Sequence, residues 1–449
     1  PPFFHFVFHG RNEGRLPYDS RLDKYDSLLW LGRPELMLTK IKHMLSSLEE
    51  EELVARALWY LGRWYNYNGD TQNSLFYAKE LFSVIETFHG KPNKPFLILV
   101  IDVFTTSKEL ELASDALNLL DFHYPQSNES FLLKSNIECT MRGSSTSAVE
   151  YLNQIFLANS CLPVALSQMN YLEACQFPRA QVIDQNSESP SSLVSVIVPA
   201  YNAAGELAST LNSLVKQTYR NIEIIVVNDA STDNTAKVFK QWSTANTHHE
   251  NITLRYIENE KNEGAYFSRN KGMQLARGTF LTVNDADDWA HPQKLQFQVS
   301  AFNNDSIYAS ISSCTRVTKD YLFKCNNIEQ NWIQRNVSSL MIRRDVLLNI
   351  GFWDEVKANA DTEYYYRLES KLGKLSIKHV LPNVPLSLQL VRKSSLTHSS
   401  VIGLKTQFEG ARKWYMDAAL RWHQNNVEDL KLAPELKERP FRAPNELIV

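Results

Sequence analysis

The spacing of apolar residues changes from helical to strand-like near residue 190. Between residues 34 and 177, apolar residues recur every three or four positions, as in ELVARALWYLGRWYNYNGDTQNSLFYAKELFSVIE, which predicts amphipathic helices. Beyond this region, LVSVIVPAYN and IEIIVVNDAST are short, β-branched and almost continuously apolar, which is typical of parallel strands buried on both faces. The chain is therefore expected to contain an all-α part followed by an α/β part.

The α/β part is predicted to span residues 193–404. Between its first two strand-like runs, AAGELASTLNSLVKQT has the length and spacing of an amphipathic helix. This strand–helix–strand alternation predicts a doubly wound sheet, in which ligands bind beyond the carboxyl ends of the strands. The polar stretch at residues 178–192 is interpreted as an interdomain linker, and residues 405–449 as a helix followed by a charged tail.

Composition and charge exclude several classes of protein. The chain has 449 residues, of which 43% are hydrophobic, so it can bury sizeable cores. A net charge of −3 lacks the basic surface expected of a protein whose partner is nucleic acid. The five cysteines show no paired spacing, and the apolar run PFLILVIDVF is too short for a bilayer, which takes about 20 residues. A cytoplasmic protein is the simplest interpretation.

The helical part, residues 34–177, contains a segment similar to a known repeat. Leu61, Gly62 and Tyr65 match the LGxxY core of the tetratricopeptide repeat, in which small residues let paired helices approach. The spacing of the presumed repeats is irregular, so an irregular helical bundle is equally compatible with the pattern. Either arrangement predicts a packing or adaptor domain that holds a protein partner or mediates self-association.

Acidic residues cluster after the strand-like run TFLTVN. Asp285, Asp287 and Asp288 lie within four residues, and their repulsion in a partly desolvated cleft is costly unless a cation offsets it. Such oxygen ligands favour Mg²⁺ or Mn²⁺, which usually also bind substrate phosphates. An acidic loop without a metal is the alternative. Asp229, at the end of an earlier strand, is predicted to bind a ligand.

The order of these segments resembles that of the inverting family 2 glycosyltransferases, which have the α/β GT-A fold. The similar segments are VSVIVPAYNAAGELASTLNSLVKQTYRNIEIIVVNDASTDNT, NEGAYFSRNKG and FLTVNDADDWAHPQKL. Asn284 stands where the family usually has an apolar residue. The resemblance implies a nucleotide-sugar donor and a DXD metal motif made by Asp285 and Asp287. The side chains and backbone expected around the nucleotide are those of Pro199, Tyr201, Asn202, Asp229, Gly264, Arg269, Asp285 and Arg392.

A later segment, GFWDEVKANADTEYYYRLESKLG, is similar to the part of the family that carries the catalytic base. The family pattern begins with Glu-Asp, whereas here Ala360 replaces the Glu and leaves Asp361 and Glu363 as candidates. Matching by position favours Asp361 as the base for the acceptor hydroxyl, with Glu363 in reserve. Two surface acids stabilised by the dipole of a helix are the alternative.

The segment VPLSLQLVRKSSLTHSS is similar to the closing part of the family, where a basic or His-bearing loop folds over the diphosphate. Arg392 is accordingly predicted to contact phosphate and His398 to be a third metal ligand, with a solvated histidine as the alternative. The opening FFHFVFHGRNEGRLP is similar to a segment of multidomain enzymes of bacterial surface-polysaccharide assembly. Residues 1–33 are therefore interpreted as the remnant of a longer upstream region.

These features together predict a metal-dependent transferase that moves a sugar, with UDP favoured as carrier, onto a capsule or lipopolysaccharide glycan. A lipid-linked acceptor and peripheral attachment to the inner membrane leaflet fit this setting. A scaffold whose transferase domain has lost activity is a second hypothesis, because the expected Glu before Asp361 is absent. A nucleotidyltransferase would need a basic phosphate loop after the first strand, and PAYNAAGEL has no basic residue there.

Overall fold

The structure is a computed structural model, and its contacts divide the chain into two compact units. The helical unit contains the described residues up to Leu152 together with Asp320–Trp332 and Lys405–Gly410, and the sheet unit contains the rest. The predicted linker lies, except for Ser192, outside the described residues, as does the opening segment that suggested polysaccharide assembly. The residues described are 21–143, 146–166, 172–174, 192–246, 252–325, 327–392, 399–434 and 438–449.

The N-terminal part of the chain is helical up to Ala158, as predicted. The prediction that residues 34–177 are all helical is wrong at its end, because the strands Val164–Leu166 and Leu172–Ala174 pair antiparallel there. A tetratricopeptide arrangement of these helices stays a prediction. The helices are α1 (Arg21–Trp30), α2 (Pro34–Leu45), α3 (Glu51–Asn68), α4 (Thr71–Glu86), α5 (Lys94–Thr106), α6 (Leu110–His123), α7 (Asn128–Arg142) and α8 (Thr146–Ala158).

The core of the helical unit explains the most apolar run of the sequence. Helix α5 carries that run and is buried along almost its whole length, so the run is a core segment. Gly62 on α3 lies against α4 and α5, because a Cβ at this position would be 3.3 Å from Leu99 and 3.5 Å from Tyr77. A small residue there permits the close approach of helices that the LGxxY pattern suggested.

A segment from the second half of the chain completes the helical unit. Arg63, which is 1% exposed, forms a buried ion pair with Asp26 at 2.6 Å and donates to the Ile328 carbonyl at 2.9 Å. The Asn136 side-chain amide exchanges two hydrogen bonds of 2.8 Å with the backbone of Phe323. The helical unit is built from three separate stretches of chain, so a single range of residue numbers does not describe it.

The sheet unit is built on a mixed sheet in the order β13-β8-β12-β6-β3-β4-β5. Strands β3 to β6 are parallel, and β12 runs antiparallel to its neighbours. A smaller sheet contains β9, β14 and β7 in that order, with β11 paired to β9. The main sheet consists of β3 (Val194–Ala200), β4 (Ile222–Asn228), β5 (Ile252–Glu258), β6 (Phe280–Val283), β8 (Ala309–Ile311), β12 (Met341–Arg343) and β13 (Ile377–His379).

The remaining elements surround this sheet. The helices are α9 (Leu207–Val215), α10 (Thr235–Ala245), α11 (Ala265–Leu275), α12 (Lys294–Ser300), α13 (Val346–Ile350), α14 (Ala360–Leu372) and α15 (Ala411–Asn425). The other strands are β1 (Val164–Leu166), β2 (Leu172–Ala174), β7 (Asp288–Ala290), β9 (Ser313–Val317), β11 (Gln334–Arg335) and β14 (Pro385–Leu390), while β10 (Phe323–Lys324) belongs to the helical unit.

Strand β3 shows why the apolar runs are nearly continuous. Val196 and Val198 face one core, which includes α9 and α10, whereas Ile197 faces a second core, which includes α11, α14 and α15. A strand covered on both sides needs apolar residues at successive positions, because neighbouring side chains point to opposite faces. The predicted doubly wound sheet is confirmed. Among the described residues, no helix is long and apolar enough to cross a membrane.

Candidate active site

The carboxyl edge of strands β3, β4 and β6 collects most of the predicted site residues. Pro199 is buried within β3, and Tyr201 just beyond it is 47% exposed. Asn202 Oδ1 accepts from the backbone N–H of Thr232 at 2.8 Å, and the Asn202 N–H donates to Ser231 Oγ at 3.0 Å. Asn202 therefore connects the loops that follow β3 and β4.

Asp229 follows β4 and is only 3% exposed. Its carboxylate accepts hydrogen bonds from the Asn259 side chain at 2.7 Å and from the backbone N–H groups of Glu263 at 3.0 Å and Gly264 at 2.8 Å. Gly264 has φ +90°, a backbone conformation that residues with a side chain rarely adopt. Asp229 therefore has a structural role, because it fixes the loop that leads into α11.

Arg269 on α11 is a buried cation at this edge, with 4% exposure. It donates to Asp285 Oδ1 at 2.6 Å, and its guanidinium carbon lies 4.8 Å from the centre of the Tyr266 ring. Burial disfavours its charge, but Asp285, Tyr266 and Asp361 together outweigh burial and raise the pKa of Arg269. The Arg269 Nε and Nη1 atoms are buried without a hydrogen-bond partner in the described part of the chain. Such unpaired donors are costly, so the site is suited to an additional anion.

The acidic loop after β6 is held by arginines on both sides. Asp285 pairs with Arg269, while Asp287 Oδ2 accepts from Arg392 Nη2 at 2.6 Å and from Nε at 2.9 Å. Arg392 also pairs with Glu206 at 3.3 Å. Burial raises the pKa of Asp287 and the charge of Asp285 adds to this, whereas Arg392 opposes it.

A buried polar cluster lies beneath this loop. Lys294 donates to Asn284 Oδ1 at 3.0 Å, and the Asn284 amide donates to the backbone carbonyls of Asp285 at 3.1 Å and Asp288 at 3.0 Å. Burial lowers the pKa of Lys294 to about 8. Burial raises the pKa of Asp288, and the charges of Asp287 and Asp285 raise it further. Asn284, which departs from the family pattern, thus fixes the backbone of the acidic loop.

These pairings change the basis of the metal prediction. Repulsion among the three carboxylates was expected to require a bound cation, but Arg269, Arg392 and Lys294 supply positive charge from the protein itself. No group of three or more His, Cys, Asp or Glu side chains that could hold a metal ion occurs among the residues described. His398, the predicted third ligand, lies outside those residues. Acidic clustering alone therefore does not identify a metal site here.

Asp361 stands in the first turn of α14, which begins after Asn359 in a left-handed conformation. Its Oδ1 accepts from the Tyr266 hydroxyl at 3.0 Å and from the Thr362 N–H at 2.8 Å. Its Oδ2 accepts no hydrogen bond from the residues that the structure describes. The position is half-buried, and the charge of Asp361 also acts on Arg269. Asp361 thus has one carboxylate oxygen held and the other available.

Glu363 is placed quite differently, although it lies only two residues farther along. It is 0% exposed and pairs with Arg367 at 3.0 Å and with His423 Nε2 at 2.8 Å. Ala360, at the position of the missing Glu, is also buried in the core. The geometry therefore assigns Glu363 to the contact between α14 and α15, and it disfavours Glu363 as a base.

Three side chains of this region were not identified from the sequence. Tyr266 lies one helical turn before Arg269, so a helix beginning at Gly264 would have put both on one face. Glu206 and Lys294 have no such local signal, because their partners Arg392 and Asn284 lie on other elements. Only the fold brings these pairs together.

A mixed sheet whose parallel strands carry arginine and carboxylate side chains at their carboxyl edge is typical of an α/β domain of the GT-A type. Residues 195–396 match the family described as glycosyl transferase family 2. This part of the chain is a family 2 glycosyltransferase domain.

Similar proteins include several bacterial glycosyltransferases. Glycosyltransferase GlyA of Streptococcus pneumoniae is 42% identical over 96 residues, 21% of this chain and 13% of that protein. The UDP-Glc:alpha-D-GlcNAc-diphosphoundecaprenol beta-1,3-glucosyltransferase WfgD of Escherichia coli is 31% identical over 147 residues, 29% of this chain and 55% of that protein. The crystal structure of S. aureus TarS 1-349 with UDP-GlcNAc has a TM-score of 0.35 at 20% identity, covering 45% of this chain and 59% of that chain. The chain spans less than two thirds of these relatives.

Proposed function

We propose that this chain transfers a sugar from a nucleotide diphosphate, with UDP as the carrier, to a hydroxyl group of a bacterial surface glycan. The observation that carries the proposal is Arg269, a buried guanidinium with two unpaired nitrogens at the carboxyl edge of a family 2 domain. A diphosphate would satisfy these donors and add charge-assisted hydrogen bonds. Arg269 would then stabilise the negative charge that develops on the leaving nucleotide.

Asp361 is the proposed base. Its Oδ2 takes the proton of the acceptor hydroxyl while the hydroxyl oxygen attacks the anomeric carbon. The bond between that carbon and the diphosphate oxygen breaks with its electrons going to the diphosphate, and the configuration inverts. Glu363 is not proposed for this role, because its carboxylate is fully buried between Arg367 and His423.

A divalent cation, Mn²⁺ or Mg²⁺, fits the acidic loop in this proposal. Asp285 and Asp287 would hold it, because their arginine partners engage Oδ1 of the first and Oδ2 of the second and leave the other oxygen of each. Mg²⁺ commonly binds through one or two carboxylates, waters and substrate phosphates, so a set of three protein ligands is not required. When bound, the ion would neutralise charge on the diphosphate. His398 as a third ligand of the ion is part of the same proposal.

The remaining nucleotide contacts follow from the geometry of the strand ends. Tyr201 offers an exposed ring for the base, and Arg392 offers a guanidinium to phosphate once it leaves Asp287. Pro199, Asn202 and Gly264 shape the backbone around the nucleotide, with Asn202 and Asp229 holding the loops. Specificity for UDP is part of the proposal.

The acceptor is proposed to be lipid-linked. WfgD is named for transfer to a sugar diphosphoundecaprenol, and a similar acceptor would bring this chain to the inner membrane leaflet as a peripheral protein. We propose residues 193–404 as the catalytic domain and residues 34–177 as the part that orients it or binds a protein partner. Residues 178–192 would then be the linker between them.

The test combines turnover with nucleotide binding. UDP-glucose, UDP-N-acetylglucosamine and GDP-mannose are supplied with an α-D-GlcNAc-diphospholipid, with and without Mn²⁺, and release of nucleotide diphosphate is measured. We expect Mn²⁺-dependent turnover of a UDP-sugar, and a melting temperature raised by UDP more strongly when Mn²⁺ is present.

Variants separate the metal prediction from the enzymatic one. Asp287→Ala should lose most of the Mn²⁺-dependent activity, whereas Asp305→Ala, which removes a fully exposed carboxylate, should retain it. Equal stabilisation by UDP with and without Mn²⁺ would refute the roles of Asp285 and Asp287 as metal ligands. Failure of the wild-type protein to turn over any donor would favour the scaffold hypothesis instead.

A further inference from the structure

Tyr266 connects the two halves of the proposed site. It lies in the first turn of α11, is 6% exposed, and donates its hydroxyl proton to Asp361 Oδ1 at 3.0 Å. The guanidinium carbon of Arg269, three residues later, lies 4.8 Å from the centre of its ring. Arg269 in turn holds Asp285 of the acidic loop. One turn of α11 therefore contacts both Asp361, the proposed base for the acceptor, and Asp285, which is proposed to bind the donor side.

The Tyr266 hydroxyl is suited to act as a constant hydrogen-bond donor. Burial raises the pKa of Tyr266, and the negative charge of Asp361 raises it further, while Arg269 and Arg412 oppose this increase. A hydroxyl that keeps its proton at neutral pH cannot itself be the base. It therefore stays a donor to Asp361 Oδ1.

We propose that Tyr266 is a positioning residue for the acceptor step, which holds Asp361 so that Oδ2 meets the acceptor hydroxyl. This inference rests on the proposed function, because it assumes that Asp361 is the base. The Thr362 N–H and the Tyr266 hydroxyl both bind Oδ1, so the rotation of the carboxylate is fixed and Oδ2 is the oxygen left for the proton. A base must lie within hydrogen-bond reach of the proton it takes, so loss of this orientation lowers the rate.

The donor side supplies a reason for using this particular residue. Binding of a diphosphate at Arg269 acts on a guanidinium that lies over the Tyr266 ring, and the ring carries the hydroxyl that holds Asp361. Helix α11 therefore holds Asp361 in a fixed position relative to a diphosphate bound at Arg269. A residue without a ring and hydroxyl at this position could not make both contacts.

The matched variants are Tyr266→Phe and Tyr364→Phe. The first keeps the buried ring and its contact with Arg269, and removes only the hydroxyl that reaches Asp361. The second removes a hydroxyl of similar burial, which donates to the Gly351 carbonyl at 3.1 Å, from the helix that carries Asp361. Both should fold, since each retains the ring in the core. Among the described residues, the Tyr364 hydroxyl donates to the Gly351 carbonyl and to none of the residues proposed for catalysis.

With UDP-glucose, Mn²⁺ and the α-D-GlcNAc-diphospholipid, or the UDP-sugar that the donor screen selects, Tyr266→Phe should lower kcat by about tenfold or more. Its KM for the donor and its affinity for UDP by calorimetry should stay within about twofold of wild type. Tyr364→Phe should change neither kcat nor the KM for the donor.

A double-variant cycle tests whether Tyr266 acts through Asp361. In an Asp361→Asn background, Tyr266→Phe should cause no further loss of rate, whereas independent roles would give multiplied losses. Wild-type protein without transferase activity would overturn the proposed function and this inference with it. An active wild type in which Tyr266→Phe matches Tyr364→Phe, or loses UDP affinity as much as kcat, would overturn the inference alone.

Discussion

Helix α14 carries two carboxylates, on opposite sides, whose environments differ. Asp361 on one side keeps Oδ2 without a hydrogen-bond donor among the described residues, whereas Glu363 on the other side is fully buried and paired with Arg367 and His423. Residues two apart on a helix point in directions about 200° apart, so Asp361 and Glu363 lie in different environments although they are close in sequence. Burial and pairing separate a group that can react from one that stabilises the fold.

The acidic loop after β6 lies between these extremes. Its carboxylates are partly exposed at Asp285 and Asp287 and buried at Asp288, and protein cations lie near all three. Arg269 and Arg392 each hold one oxygen of a carboxylate, which leaves room for exchange with a ligand. In Glu363, by contrast, both carboxylate oxygens are hydrogen-bonded within the protein, one to Arg367 and the other to His423.

The largest effect should come from Asp361→Asn. Asparagine can still accept from Tyr266 and from the Thr362 N–H, but it cannot take the acceptor proton. We expect kcat to fall by about 10²–10⁴-fold, the range typical of a positioned base, with the unfolding free energy almost unchanged. Steady-state transfer kinetics and denaturant unfolding measure the two quantities. A kcat close to that of wild type would show that Asp361 is not the base.

Glu363→Gln should produce the converse result. The substitution leaves Arg367 as a buried charge without its partner, and breaking a buried pair in this way costs about 3–5 kcal/mol of stability. The free energy of unfolding, measured in urea, should fall by this order, while kcat per folded molecule changes far less than in Asp361→Asn. A variant that is stable but inactive would instead identify Glu363 as a reacting group.

A smaller effect should appear in the pH dependence of stability through His291. It is fully buried, and burial lowers its pKa to about 4, while its ring accepts from the Gln293 N–H and contacts the Leu162 carbonyl at 2.9 Å. The unfolded state binds a proton near pH 6.5 and the folded state only near pH 4. This histidine therefore contributes full stability above pH 6.5, and up to about 3 kcal/mol is lost as the pH falls toward 4.

His291→Gln measures this contribution by difference. The free energy of unfolding of the variant should decline less steeply than that of wild type between pH 6.5 and 4. Parallel curves would mean that the buried imidazole does not set the acid sensitivity. The interior of the sheet unit would then tolerate charge more readily than the pairing around Glu363 suggests.

Local patterns predicted much of the architecture. Helical spacing identified the N-terminal helices, and the runs around Val196 and Ile224 identified strands covered on both faces. The resemblance to family 2 motifs also led to Arg269, Asp285 and Asp361 as candidate site residues. The pairing of Asp229 with the loop before Gly264 was not predicted, because that contact joins residues distant in the chain.

Local sequence patterns were enough to identify which segments form helices and strands, the edge of the sheet where polar groups gather, and the family of the transferase domain. These features follow from local spacing and from the order of short motifs. The folded chain was needed to show which acids pair with arginines, that Glu363 is buried, that Tyr266 contacts Asp361, and that Asp320–Trp332 belongs to the helical unit. Pairing and burial depend on which distant segments meet, and no local pattern encodes that.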